Sequence, residues 1–155
     1  MKWNELLHNV PKVTPNYNFS ASAKVHGLDV NYQLGVKTIT FTGEIRSFHG
    51  GGSYSIIVSF SKVEPTDGLT EEEIAQGYMP KPSLAKNDIH VRCSCPSYRF
   101  RFDKANRANR ASMGKGFGNY HRLTNRAPNN PHDLPGFCYH IIEFVDYLQL
   151  QGFVH

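Results

Sequence analysis

No stretch of this 155-residue chain approaches the ~20 apolar residues that a membrane-spanning helix needs. Its 13 glycines follow no three-residue period, which excludes a collagen-like rod, and Ala, Glu, Lys and Leu are too few for a coiled coil. Charged residues make up 19% against 39% hydrophobic, the wrong balance for disorder. Cysteine is scarce and odd in number, three in all, whereas a disulfide framework uses an even set. The opening MKWNELLHNVP has no apolar run of signal-peptide length, because Glu5 and His8 interrupt it. These absences predict a chain in a reducing compartment, the cytoplasm, with no route through a signal peptide. Internal repeats and low-complexity tracts are also missing. The triglycine at 50–52 has no Lys-Ser/Thr after it and no helix behind it, so it reads as a hairpin tip and not a phosphate loop.

What is present fits one domain, long enough to bury about 70% of its unfolded surface. Its net charge of +4 hides a split. Between residues 92 and 126 stand nine cations (Arg92, Arg99, Arg101, Lys104, Arg107, Arg110, Lys115, Arg122 and Arg126) and one acid, Asp103. The remainder is net acidic. Such asymmetry points to a localised surface for a polyanion or an acidic partner.

Residues 36–47 and 54–61 are β-branched and aromatic with a period of two, which predicts a hairpin joined through 48–53. Tyr54, Ile56, Val58 and Phe60 share one face of the second strand. Residues 89–93 (IHVRC) read as another strand. Thr70 and Glu73 form a capping box for a short helix that Gly77 and Pro80 end. From Phe137 to about Leu150, Ile141, Ile142, Phe144, Val145 and Leu148 repeat at helical spacing, with Gly152 as the cap. The expected class is α+β, an antiparallel sheet body with a knuckle joining a strand end to the last helix. The expected layout is a single domain over 1–155: an extended N-terminal arm (1–35, turn-rich over 11–30), a β-rich body (36–92) and a C-terminal module (93–155) with a long basic insert (96–137).

The cysteines are paired in context. Cys93-Ser94-Cys95 closes a strand, and alternate residues of an extended segment point the same way, so two sulfurs can meet one point. Cys138-Tyr139-His140 opens a helix. Residues two apart on a regular helix diverge by about 200°, so Cys138 must stand at the entry with His140 in the first turn. A thiolate there is favoured by the helix dipole. Three sulfurs and one imidazole make a closed tetrahedral set of the kind zinc uses for structure. The plainer alternative is three small buried hydrophobes and one surface histidine.

The string C-S-C at 93–95 and C-Y-H at 138–140, with a strand before and an apolar helix after, resembles the SWIM zinc-finger pattern C-x-C-x(n)-C-x-H. The resemblance covers about the last 40% of the chain. It implies structural Zn2+ held by Cys93, Cys95, Cys138 and His140, in a module that binds nucleic acid or protein and is not an enzyme. One departure is the 42-residue spacing over 96–137, longer than the usual SWIM insertion, which weakens the inherited DNA-binding role. The run 93–102 (CSCPSYRFRF), the Gly/Asn/Arg-rich insert and the PGFCYH at 135–140 also look like small virion proteins of tailed bacteriophages.

In the insert, Tyr98, Phe100 and Phe102 alternate with Arg99 and Arg101. If extended, this gives an aromatic face for stacking bases and a cationic face for phosphates. It equally fits an amphipathic strand with its aromatics in the core. Residues 103–110 can continue as a helix with Arg107 and Arg110 on one side, and 125–135 is loop. A Cys–His nucleophile pair lacks a third orienting group, so no catalytic residues are expected. The expectation is a non-enzymatic, zinc-stabilised assembly protein of a phage virion that contacts other virion proteins. The alternative is a nucleic-acid-binding module using Arg99, Arg101, Arg107, Arg110, Lys115, Arg122 and Arg126. No membrane association is expected in either case.

Overall fold

Alternating β-branched and aromatic residues build the sheet. The computed structural model describes residues 1–14, 24–46, 52–118 and 129–155. Four strands, β1 Val25–Gln33, β2 Thr38–Arg46, β3 Ser53–Ser61 and β4 Asp88–Cys93, pair antiparallel in the order β1-β2-β3-β4. Phe41 lies opposite Val58, and Val58 opposite Val91. One face therefore collects Ile39, Phe41 and Ile45 with Ile56, Val58 and Phe60 and with Ile89, Val91 and Cys93, all buried. The other face is polar, and the Thr40 and Ser59 hydroxyls meet across it at 2.9 Å. The expected β2–β3 hairpin is present, with register from Ile39–Phe60 to Arg46–Ser53. Residues 47–51 of its connector lie outside the described residues.

The apolar face is covered by α4, Tyr139–Leu150, whose Ile141, Ile142, Phe144, Val145 and Leu148 are all buried. Gly43 makes the close approach possible. A Cβ there would stand 2.9 Å from Cε2 of Phe144. Gly152, with φ of 77°, ends the helix as expected. Its N–H donates to Gln149 O and that of Phe153 to Leu148 O. The capping box is also formed, with Thr70 and Glu73 exchanging bonds of 3.2 Å at the start of α2, Glu71–Ala75.

The extended arm over 1–35 is corrected. Trp3–Val13 is a helix, α1, because Trp3, Leu6 and Val10 fall on one helical face and all three are buried. Trp3 stacks on Phe137 at 4.4 Å. Pro11 lies inside this helix and forgoes the bond that an N–H there would make to the carbonyl four residues earlier. Residues 25–33 form edge strand β1, where Val30 and Tyr32 gain burial from pairing with β2, a gain no local pattern reveals. Residues 15–23 of the expected arm lie outside the described residues.

The insert is corrected too. Tyr98–Phe102 is a wide helical turn leading into α3, Asp103–Ala108, and is not extended. The aromatics consequently do not share a face. Tyr98 and Phe102, four residues apart, are fully buried, while Phe100 is 42% exposed. Tyr98 donates its hydroxyl to Val91 O at 2.9 Å. Asn106 donates to Gly136 O and accepts from Gly136 N, each at 2.9 Å. Ala111 O and Met113 N bond Val91 along the outer edge of β4. Far from a polar appendage, the insert supplies Tyr98, Phe102, Ala105, Ala111 and Phe137 to the buried interior.

Gly43→Ala should destabilise the fold by about 1–3 kcal/mol, since the Phe144 ring has to shift, with a urea midpoint as the measure. Asp88 is held well below the usual carboxylate range by Lys62 and Lys2, each 2.9 Å away. A depressed folded pKa gives stability that is present above the unfolded value of about 4 and lost as pH falls through the folded one. Asp88→Asn should therefore lower stability at neutral pH, and its deficit should shrink below about pH 4.

Candidate metal centre

Each half of the site is positioned by its own element. Alternation along β4 sends Cys93 to the buried face after Ile89 and Val91. Ser94 is pinned to β3, its N–H donating to Ser55 O at 3.0 Å and its hydroxyl accepting from Ser55 N at 2.9 Å. The chain then leaves the strand. Cys93 Sγ accepts from Cys95 N at 3.5 Å, and Cys95 Sγ accepts from Tyr98 N at 3.3 Å. The two sulfurs thus converge through a tight turn wrapped by N–H···S bonds, and not through strand alternation as the sequence suggested.

On the opposite side, Cys138 is the N-cap of α4, with extended backbone at φ −75° and ψ 161°, and His140 stands in the first turn. The entry is fixed by Gly136, which Asn106 grips from both sides. A Cβ on Gly136 would come within 2.9 Å of the Phe102 ring. The His140 ring lies 4.0 Å from that of Tyr139 and 4.9 Å from that of Tyr54, centroid to centroid.

Cys93, Cys95, Cys138 and His140 are brought together, all buried, with one potential ligand atom from each within 4.8 Å of every other. Tetrahedral ligands 2.0–2.3 Å from a centre lie about 3.3–3.8 Å apart, so small side-chain rotations close the set. The three thiols are free. Burial pushes the Cys138 thiol up, while Cys138 and then Cys93, hydrogen-bonding to Cys95, hold that thiol down. Neither His140 nitrogen has a hydrogen-bond partner, although both are buried. Such a set, with converging sulfurs and an unpartnered buried imidazole, fits a thiophilic divalent ion. The ligands' burial leaves no solvent-facing ligand position, which suits a closed structural ion.

The basic residues are not brought together in the same way. Arg92 donates to the carbonyls of Met113, at 3.5 Å, and Lys115, and lies 4.0 Å over the Phe117 ring. Arg99 approaches the same ring at 5.2 Å. Arg101 reaches Thr14 and Ser97. Arg107 pairs with the buried Asp103 at 3.2 Å, and Lys104 with Asp133 at 3.0 Å. Arg110, with φ of 55°, and Lys115 are exposed. Arg122 and Arg126 lie outside the described residues.

Two further features shape the surroundings of the site. Tyr98 and Asn106 anchor the insert, and no local pattern marks them. Glu143 is buried in α4, where burial raises its carboxyl to about 7 despite the opposing pull of His140. Its signal was visible as the one acid within the apolar run 141–145. Among the described residues no helix is long and apolar enough to cross a membrane. Comparison with protein-family models, curated proteins and solved structures finds no match to this chain.

Because the insert has buried anchors of its own, loss of a metal should loosen the site locally. Adding a strong chelator should speed amide exchange at 93–98 and 138–142 while β2 and β3 stay protected. Exchange spreading through β2 and β3 would refute a local role.

Proposed function

We propose that Cys93, Cys95, Cys138 and His140 hold a structural zinc ion, and that the chain is a non-enzymatic assembly module making protein–protein contacts in a tailed-phage particle. The observation that carries the zinc reading is the buried Cys3His set joining the end of β4 to the start of α4. Three sulfurs and one imidazole select a soft, tetrahedral ion, and zinc is the usual choice. The role is clamping. A bound ion would tie the first and last residues flanking the insert to each other across the sheet's end.

The assembly reading draws support from the surface. Leu34, Val36, Tyr78, Met79 and Leu150 are large apolar side chains left exposed, and covering them by a partner would be favourable. Of the cations the nucleic-acid alternative would use, Arg101 and Arg107 already have partners within the chain, while Arg110 and Lys115 stand exposed. The phage assignment rests on the resemblance of 93–102 and 135–140 to virion proteins, and it implies a virion location.

Elemental analysis of purified protein should find one zinc per chain, and Cys138→Ala should lose most of it. Zinc well below one equivalent in the unaltered protein would refute the ion. Mass spectrometry of gradient-purified particles should find the chain at fixed stoichiometry with other virion proteins. Binding to generic DNA or RNA should be negligible even at low salt, where phosphate contacts are strongest. Tight, salt-sensitive binding would instead favour the nucleic-acid module.

A further inference from the structure

α4 carries a polar group that its packing does not explain. Glu143 interrupts the apolar run 141–145, is only 5% exposed, and neither carboxyl oxygen has a hydrogen-bond partner. His140, three residues earlier on the same helix, is 2% exposed, and neither of its ring nitrogens has one. Among the described residues, five buried side-chain N and O atoms are unpartnered in this way. Four of them belong to this pair, and the fifth is Oδ1 of Asp103.

Leaving a buried polar atom unpartnered costs about 1–3 kcal/mol, so two such residues one helical turn apart call for a joint explanation. Residues i and i+3 on a helix are surface neighbours, with Cβ atoms about 5–6 Å apart. A metal ion satisfies only one imidazole nitrogen. The other carries the proton of the neutral ring and needs an acceptor. Glu143 is not among the four residues whose ligand atoms are mutually close, yet it interacts electrostatically with His140, so it lies outside the ligand set but within reach of its histidine.

We propose that Glu143 is a positioning residue of the metal centre, its carboxyl accepting the N–H of the His140 nitrogen that faces away from the ion. This rests on the zinc reading above. The bond fixes which nitrogen is free to ligate and holds the ring plane, as metal-bound histidines generally require. It holds for the neutral acid and for the carboxylate alike, because each retains an oxygen that accepts.

The test uses the full chain loaded with zinc. Competition with a chromophoric chelator would be measured for the unaltered protein, Glu143→Leu and Glu143→Gln. Leu fills the space without an acceptor and should weaken zinc binding about 10–100-fold. Gln keeps a carbonyl acceptor and should restore affinity to within a few-fold. Nitrogen-edited NMR of the zinc-loaded, unaltered protein should show one His140 ring N–H exchanging slowly with water, and this signal should survive in the Gln variant. Affinity in the Leu variant equal to that of the unaltered protein would overturn the proposal, as would a Gln variant as weak as Leu. Fast exchange of the ring proton in the unaltered protein would overturn it without any variant. An unaltered protein that binds no zinc overturns the metal reading itself, a result distinct from zinc binding that ignores residue 143.

Discussion

Four ligand atoms can meet only if the last residue of β4 and the first turn of α4 are held side by side, and that constraint organises the molecule. Neither element achieves it alone. β4 is placed by its ladder to β3, and α4 by laying its apolar residues on the sheet, where Gly43 admits the Phe144 ring. With these in place, Cys93 and Cys138 arrive from opposite directions at one buried point. The sheet thus acts as a jig, and a metal ion would lock an arrangement that hydrophobic packing has already selected.

The long segment between the two half-sites is drawn into the same arrangement. Tyr98 reaches Val91, Asn106 grips Gly136, and the stretch around Ala111–Met113 caps the open edge of β4. An uncovered strand edge invites unwanted pairing, so this covering has a structural use apart from any ligand. It also accounts for much of the positive charge. Arg92 and Arg99 lie over Phe117, and Arg107 neutralises the buried Asp103, so several cations that look available in the sequence are fastening the insert. α1 closes the arrangement from the other side, through Trp3 on Phe137 and Asn9 on Pro135.

The parts legible in sequence are those whose signal is local and repeated. Period-two alternation marks β2 and β3, apolar residues at helical spacing mark α4, and a Thr–Glu pair marks the start of α2. The parts that were not legible depend on distant partners. β1 is turn-rich and becomes a strand through pairing with β2. The run 98–102 alternates like a strand, yet it coils, and the coil keeps Tyr98 and Phe102 buried while turning Phe100 outward. α1 had a readable stripe at Trp3, Leu6 and Val10, obscured by Pro11 and by its neighbours.

The sequence by itself determined the chemistry of the candidate site: three cysteines and a histidine, set at a strand end and a helix entry, define a donor set suited to a soft ion. It also determined the α+β class, because strand and helix periods are written into consecutive side chains. Only the tertiary structure decided that those four side chains share one buried point, and that Glu143 is enclosed beside them. It also decided that Arg92, Arg101, Lys104 and Arg107 meet partners within the chain while staying at the surface. The physical reason is that convergence and burial are set by residues far apart in the chain. The desolvation of Glu143 or the pairing of Arg107 with Asp103 comes into existence when sheet, helix and insert pack together.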